Sequence, residues 1–310
     1  NSVETPDEAY TLFLGSSSCI AQNINRYIGN TIRPVQDNGG NEEFVFFSDP
    51  HVFIEYSEVK WDRDIHLDVM QKYFNLTSSN FIICGGDWLW AHTLQVAIDD
   101  LEMANQRMVN MFGNKYYPVL GNHDLNDEGD AEIPASTLTN ILFSRWNRHY
   151  YTFNGRNTIF YVFDTGSSLN TAMNSYRYEQ VKWFCNGLVN NTNSHIVIVM
   201  HMAQTGTEDD APITCPMAQN LSAAANAFNN RSSYTVDGSS YNFSSCVGRV
   251  HIILAGHWHQ DNNYVYNNIP IYIIDDARTG IFDIISLDYT ENKLKSKRIG
   301  TGNDRVINLA

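Results

Sequence analysis

Short apolar runs recur along this chain, and one after another they stop on an aspartate, an asparagine or a histidine. "FVFFS" (44–48) runs into Asp49 and His51. "NFIICGG" (80–86) ends at Asp87, and "YYPVLG" (116–121) at Asn122-His123. "HIVIVMH" (195–201) ends on His201, and "RVHIILAGHWH" (249–259) on His257 and His259. Apolar runs this short, bounded by glycine and polar residues, read as strands buried on both faces. Helical spacing separates them: Leu94, Ala97, Ile98, Leu101, Ala104 and Met108 form one stripe within residues 91–112. "SYRYEQVKWFCNGLV" (175–189) and "NLSAAANAF" (220–228) are the other helix candidates. "TIFYVFDT" (158–165) and "IPIYIID" (269–275) add strands, and "GIFDIISLDY" (280–289) with "KLKSKRI" (293–299) reads as an antiparallel pair. Strands buried on both faces with helices between them imply a layered α/β domain over residues 44–310. Residues 1–43 differ, being rich in Ser, Asn and Gly with one strand candidate, "YTLFL" (10–14). They are expected to be an N-terminal appendage, either an edge strand or the remnant of a preceding domain.

Parallel strand ends gather along one edge of a sheet, so the residues that terminate these runs are expected to meet. In an extended segment His257 and His259 project to the same side. Taken alone a His-x-His is more often a surface pair, but here partners come from four other strand ends. Carboxylate, imidazole and amide ligands without thiolate suit Mn, Fe or Zn better than calcium or cuprous copper.

Bulk properties narrow the partners. Hydrophobic residues make up 43% of the 310, enough for a substantial core, whereas charged residues are 17% and the net charge is −14. That balance argues against broad electrostatic binding to nucleic acid or anionic membranes. No apolar run approaches the roughly 18 residues of a membrane helix. The chain starts at Asn1, not methionine, which is read as processing or truncation. An extracellular location is expected ahead of a cytoplasmic one. Five cysteines form no CxxC pair, and Cys215 and Cys246 could bridge in an exported protein. The five Asn-x-Ser/Thr sequons, at Asn75, Asn190, Asn220, Asn230 and Asn242, are about as many as chance gives in so Asn-rich a chain.

Asp49-Pro50-His51, Gly86-Asp87, Gly121-Asn122-His123-Asp124, His201 and Gly256-His257-Trp258-His259 resemble, in order, the five motifs of the calcineurin-like metallophosphoesterases. The resemblance spans residues 44 to about 290. It implies a four-layer α/β/β/α sandwich with mixed sheets and two metal ions at the strand ends. Carried over, Asp49, His51 and His259 would hold one ion and Asn122, His201 and His257 the other, with Asp87 bridging. The implied reaction is hydrolysis of a small phosphate mono- or diester by metal-bound hydroxide. His123 would be the catalytic acid that protonates the leaving oxygen. Alternatives are a non-catalytic module, as in the retromer subunit with this fold, or a nuclease; protein partners are not specified.

The pattern also departs from its relatives. Ser/Thr protein phosphatases carry an aspartate three residues after the bridging one, to orient the histidine. Here that position is Trp90, so the dyad is missing. Purple acid phosphatases have a tyrosine ligand there and lack the histidine that His51 supplies. Trp88, Trp90 and Trp258 flank the motifs and are expected to pack, with stacking on a substrate as the alternative. "DLNDEGDAEI" (124–133) is read as a solvated acidic loop, not a calcium loop, because Ala135 stands where a bidentate glutamate belongs. Asp164, His92 and His195 are read as structural.

Overall fold

The computed structural model describes residues 41–51, 63–90, 92–126, 128–166, 174–205 and 213–310. In chain order these form β1 (Glu42–Phe47), α1 (Arg63–Leu76), β2 (Ile82–Cys84), α2 (Leu94–Phe112), β3 (Tyr116–Pro118) and α3 (Ala135–Leu142). Then follow β4 (Tyr151–Asn154), β5 (Thr158–Val162), α4 (Asn174–Val189), β6 (His195–Val199), β7 (Gln204–Thr205), β8 (Ile213–Thr214) and α5 (Pro216–Asn229). The chain continues through β9 (Ser233–Val236), β10 (Ser239–Asn242), β11 (Arg249–Ala255), β12 (Asn262–Tyr266) and β13 (Ile269–Ile273). It closes with β14 (Phe282–Asp288), β15 (Lys293–Ile299) and β16 (Arg305–Asn308).

Two mixed six-stranded sheets carry the domain. The first runs β16-β15-β14-β1-β2-β3, parallel across β1, β2 and β3 and antiparallel beyond. The second runs β12-β13-β11-β6-β5-β4, with four parallel central strands between antiparallel edges. The period-2 alternation of a strand assigns each residue to a layer. On β6 and just after it, Ile196, Ile198 and Met200 join Phe184 of α4 and Leu221 of α5, while Val197 and Val199 face the inter-sheet core. That core is aromatic at one end, where Phe160 stacks on Phe153 at 4.7 Å and meets Phe44 edge-on at 5.5 Å. α1 packs on β1 and α2 on β3, and α4 and α5 pack together over the second sheet. The order of layers is therefore α/β/β/α.

Several elements begin elsewhere than the sequence pattern suggests. α2 starts at Leu94, not at residue 91, because the Asp130 carboxylate accepts the Leu94 N–H at 2.6 Å and fixes the first turn. α5 starts at Pro216, four residues before "NLSAAANAF": proline occupies the first turn and Cys215 Sγ accepts the Ala218 N–H. β1 starts at Glu42. α1 is an additional helix that the strand-and-helix pattern does not announce, with Leu67, Met70 and Phe74 as its buried stripe. The Asp237-Gly238 turn, both residues at positive φ, joins β9 and β10 in a hairpin. "YTLFL" lies outside the described residues. Cys215 and Cys246 are unbridged; the first is buried and donates to the Met202 carbonyl. No helix among the described residues is long and apolar enough to cross a membrane.

At the strand starts, away from the ligand-bearing ends, His251 is buried with Nε2 2.9 Å from His195 Nδ1, and the Tyr289 ring stacks on His195 at 3.6 Å. Burial, then the neighbouring His195 and Arg249, lowers the His251 pKa to about 3. A folded-state value below the unfolded one gives stability that is present above about pH 6.5 and lost as pH falls towards 3. From pH 7 to 5 this group alone should cost about 2 kcal/mol. His251→Phe should reduce the pH 7-to-5 loss of urea stability by about that amount; an unchanged loss would show that His251 does not govern it.

Candidate metal centre

The loops after β1, β2 and β11 place their ligand residues in left-handed turns. Asp49 (φ 55°), His51 (41°), Asp87 (58°), His257 (72°) and His259 (53°) all lie there. For non-glycine residues this conformation costs on the order of 1–3 kcal/mol and persists only where surroundings enforce it. Here backbone hydrogen bonds do so: Asp49 N–H donates to Gly86 O at 2.9 Å and His51 N–H to Asp87 O at 3.1 Å. Gly86, at φ 104°, leaves no room for a Cβ, which would fall 2.9 Å from His201 Nδ1. A Cβ on Gly256 would collide with Ser48 Oγ and Asp49 Oδ2.

The turns bring Asp49, His51, Asp87 and His259 into one group and Asp87, His201 and His257 into another, the donor atoms of each lying within 4.8 Å of one another. Asp87 belongs to both. His201 Nε2 is 3.0 Å from Asp87 Oδ2, and His259 Nε2 is 3.2 Å from Asp49 Oδ1. Asp49, His51, Asp87 and His201 are wholly enclosed. Burial alone would raise the two carboxyls, but His201 facing both, with His259 beside Asp49, holds them below the usual carboxylate range. Burial would lower His201 too, yet Asp87 and Asp49 push it up to about 10. His51 falls to about 4 because burial outweighs the carboxylates, and His257 falls likewise under burial and the His201 charge.

A metal fits this donor set. Asp49 Oδ1, Asp87 Oδ2 and His201 Nε2 are buried and face one another or His259, with no well-formed hydrogen bond, and Asn122 Oδ1 is buried without one; a cation would relieve that cost. His51 Nδ1 donates to Leu89 O at 2.6 Å and His201 Nδ1 to Gly85 O at 2.8 Å. Those bonds fix the tautomer and leave each Nε2 lone pair for a ligand. His259 differs: its Nδ1 faces Arg278 Nη2 at 3.4 Å, and that guanidinium is clamped by Asp276.

His123 lies at the rim, its side chain 11% exposed, with Nε2 4.0 Å from Asp87 Oδ2. Its backbone N–H donates to Asp87 Oδ1 at 2.9 Å. Asp124 follows the histidine in the third motif, and no spacing rule announces its role. Fully buried, it accepts the backbone N–H groups of Asp87, Trp88, Leu89 and Gly121, binding two ligand loops together. Burial and the Asp87 charge raise its pKa to about 7. Arg278 and Asp276 were also unforeseen, since they lie outside every motif. The acidic loop is only partly solvated: Asp130 caps α2, Asn126 accepts His92 N–H, and Glu128 Oε2 reaches 3.8 Å from His123 Nδ1. Asp127 lies outside the described residues. Trp88 and Trp258 are packed in the core. One face of Trp90 is taken by His123, at 4.5 Å and 18°. Asp164 is structural, held between His149 and Tyr176.

The family model for calcineurin-like phosphoesterases matches residues 43–261. The chain belongs to that family. The family supports a hydrolase and normally binds divalent metals, and the two ligand groups agree with metal binding. No curated protein matches at a significant level. Among solved structures the chain is similar to a putative 5'-nucleotidase from Staphylococcus aureus at 11% identity and TM-score 0.45, covering 87% of this chain and 54% of that one. It is similar to GAP50 of Plasmodium at 12% and 0.44, covering 87% and 88%. It is also similar to the phosphopantetheinyl hydrolase of Mycobacterium tuberculosis at 11% and 0.40, covering 78% and 92%. Likenesses this distant decide nothing about substrate.

With His201 held up near 10 by the facing carboxylates, the metal-free centre carries a proton where a cation would sit. Metal binding must expel it. Calorimetry of Zn²⁺ or Mn²⁺ binding in buffers of different ionisation enthalpy should therefore show at least about one proton released per chain at pH 7, with affinity falling about tenfold per pH unit on acidification. Binding with no proton release would contradict this reading of His201.

Proposed function

We propose that this metallophosphoesterase is a two-metal enzyme that hydrolyses a compact phosphate mono- or diester. The observation that carries the reading is the sharing of Asp87 by two ligand groups. Asp49, His51, His259 and Asp87 would hold one ion, and Asp87, Asn122, His201 and His257 the other; Mn, Fe or Zn suits the N/O donors. Bound there, such ions supply an acidified water and charge neutralisation for the phosphoryl oxygens. The chain's own groups do the rest. Asp87 and Asp49 set the negative field, while the carbonyls of Leu89 and Gly85 keep His51 and His201 turned inward. His123, partly exposed beside the bridging carboxylate, presents Nε2 to a leaving oxygen and gives it a proton. Asp124, next to it in sequence, holds the loop that aims it.

Acidity at the rim supports a compact substrate. Glu128, 58% exposed beside His123, and a net charge of −14 oppose a long polyanion. A small diester such as bis-p-nitrophenyl phosphate should turn over well ahead of single- or double-stranded DNA at physiological salt. Comparable rates would overturn the preference.

His123→Ala should lower turnover by about 10²–10⁴-fold, the usual range for a general acid, with metal content unchanged. The loss should be smaller for p-nitrophenolate, which needs little protonation, than for an alkyl alcohol. His257→Ala or His201→Ala should instead reduce bound metal. Turnover of both ester types, with elemental analysis of each variant, checks this. Failure of the metal-loaded wild type to hydrolyse any phosphoester would favour the non-catalytic alternative.

A further inference from the structure

We propose that Trp90 and Glu128 together position the His123 imidazole, replacing the single aspartate that the protein phosphatase branch carries where Trp90 stands. The inference rests on His123 acting as the acid described above. An imidazole at the end of a side chain has two freedoms that matter: the plane of its ring, and which nitrogen faces the reaction. Trp90 governs the first. Its indole lies nearly parallel to His123, with centroids 4.5 Å apart and planes at 18°. It also meets His51 edge-on at 4.8 Å and 76°, and His51 in turn meets His123 edge-on at 5.3 Å. The ring is thus held by a flat face and an edge, while its buried Nδ1 makes no hydrogen bond.

Stacking cannot tell one edge of the imidazole from the other. Glu128 can. Its Oε2 lies 3.8 Å from Nδ1, beyond hydrogen-bond length, and a carboxylate there favours the orientation that points N–H at it. Nε2 is then left facing Asp87 Oδ2 at 4.0 Å, on the side of the ligand groups. Glu128 is delivered by an anchored loop: Asn126 side-chain N–H groups donate to His92 O and Ala131 O, and Gly129 N–H donates to Asn126 O. Both are positioning residues, and neither belongs to a ligand group.

The test is a double-mutant cycle on the metal-loaded protein with an alkyl and a p-nitrophenyl phosphoester. Trp90→Ala should lower kcat for the alkyl ester about 10–100-fold, the scale of a lost orientation, and less for the p-nitrophenyl ester. Trp90→Phe should restore most of it, and Glu128→Gln should lower kcat about threefold to tenfold without raising KM. In a His123→Ala background each substitution should cost less than about twofold, because the group they position is gone. Metal content should be unchanged throughout. Equal penalties with and without His123, or loss of metal on Trp90→Ala, would overturn the inference, the latter placing the role of Trp90 at His51. A readout without turnover separates this from failure of the proposed activity. Proton NMR should show His123 ring signals displaced by the indole, returning to ordinary positions in Trp90→Ala but only partly in Trp90→Phe. Undisplaced signals in the wild type would sink the idea even in an active enzyme.

Discussion

Two carboxylates buried side by side, Asp49 and Asp87, are the constraint to which the rest of the site answers. Enclosing a carboxylate in a protein costs several kcal/mol per ion after relaxation, and placing two together adds their repulsion. Each is therefore served by more than one partner. Asp49 Oδ2 accepts the His257 N–H and Asp87 Oδ1 the His123 N–H, both at 2.9 Å, so one oxygen of each is spent on another loop's backbone. The remaining oxygens, Asp49 Oδ1 and Asp87 Oδ2, face imidazoles. Removing Asp49 would thus free the loop after β11 as well as a donor atom. The His201 bond to Gly85 O adds a further tie between the sheets, from the end of β6 to the end of β2.

This explains why so many donors sit at positive φ. A strand carries side chains alternately above and below its sheet, whereas the donors must converge beyond the strand ends. A left-handed residue just past the strand reverses the chain sharply and redirects the side chain. Aspartate and histidine tolerate that conformation better than β-branched residues do. The strain is carried by the same inter-loop hydrogen bonds that satisfy the carboxylates, so geometry and electrostatics are enforced together.

Much of this was legible in the sequence because it is written in period and punctuation. Runs such as "HIVIVMH" and "RVHIILAGHWH" show both faces buried and name the residue at the strand end, and the aspartates and histidines Asp49, His51, Asp87, His201, His257 and His259 fall in the two ligand groups. The features that the sequence does not announce have little periodicity or depend on contacts distant in sequence. In α1 the buried positions are Leu67, Met70 and Phe74, with Val69 and Tyr73 packed beside them, and Asp, Gln and Lys between them blur the stripe. Asp124 reads as one more acid in an acidic stretch until four backbone amides are seen to converge on it. Trp90 could be recognised as a departure from the protein phosphatase pattern, but no spacing rule says that its face would meet His123, thirty-three positions away.

The loop that carries His257 and His259 shows how far the support reaches. At its start Gly256 packs against Ser48 and Asp49. Two residues past His259, Asp261 Oδ1 accepts from Arg298 Nη2 at 2.5 Å and from Arg305 Nη2 at 3.0 Å. Arg298 is wholly enclosed and also donates to Asp283 at 2.6 Å, a buried pair within the first sheet. Breaking such a pair by deleting one partner typically costs 3–5 kcal/mol, because the other charge is left enclosed and unmatched. The two imidazoles therefore ride on a short segment of the second sheet whose two ends are fixed to the first. Ions held there would enter a frame already set by buried charge, with little ordering of the loop left to perform on binding.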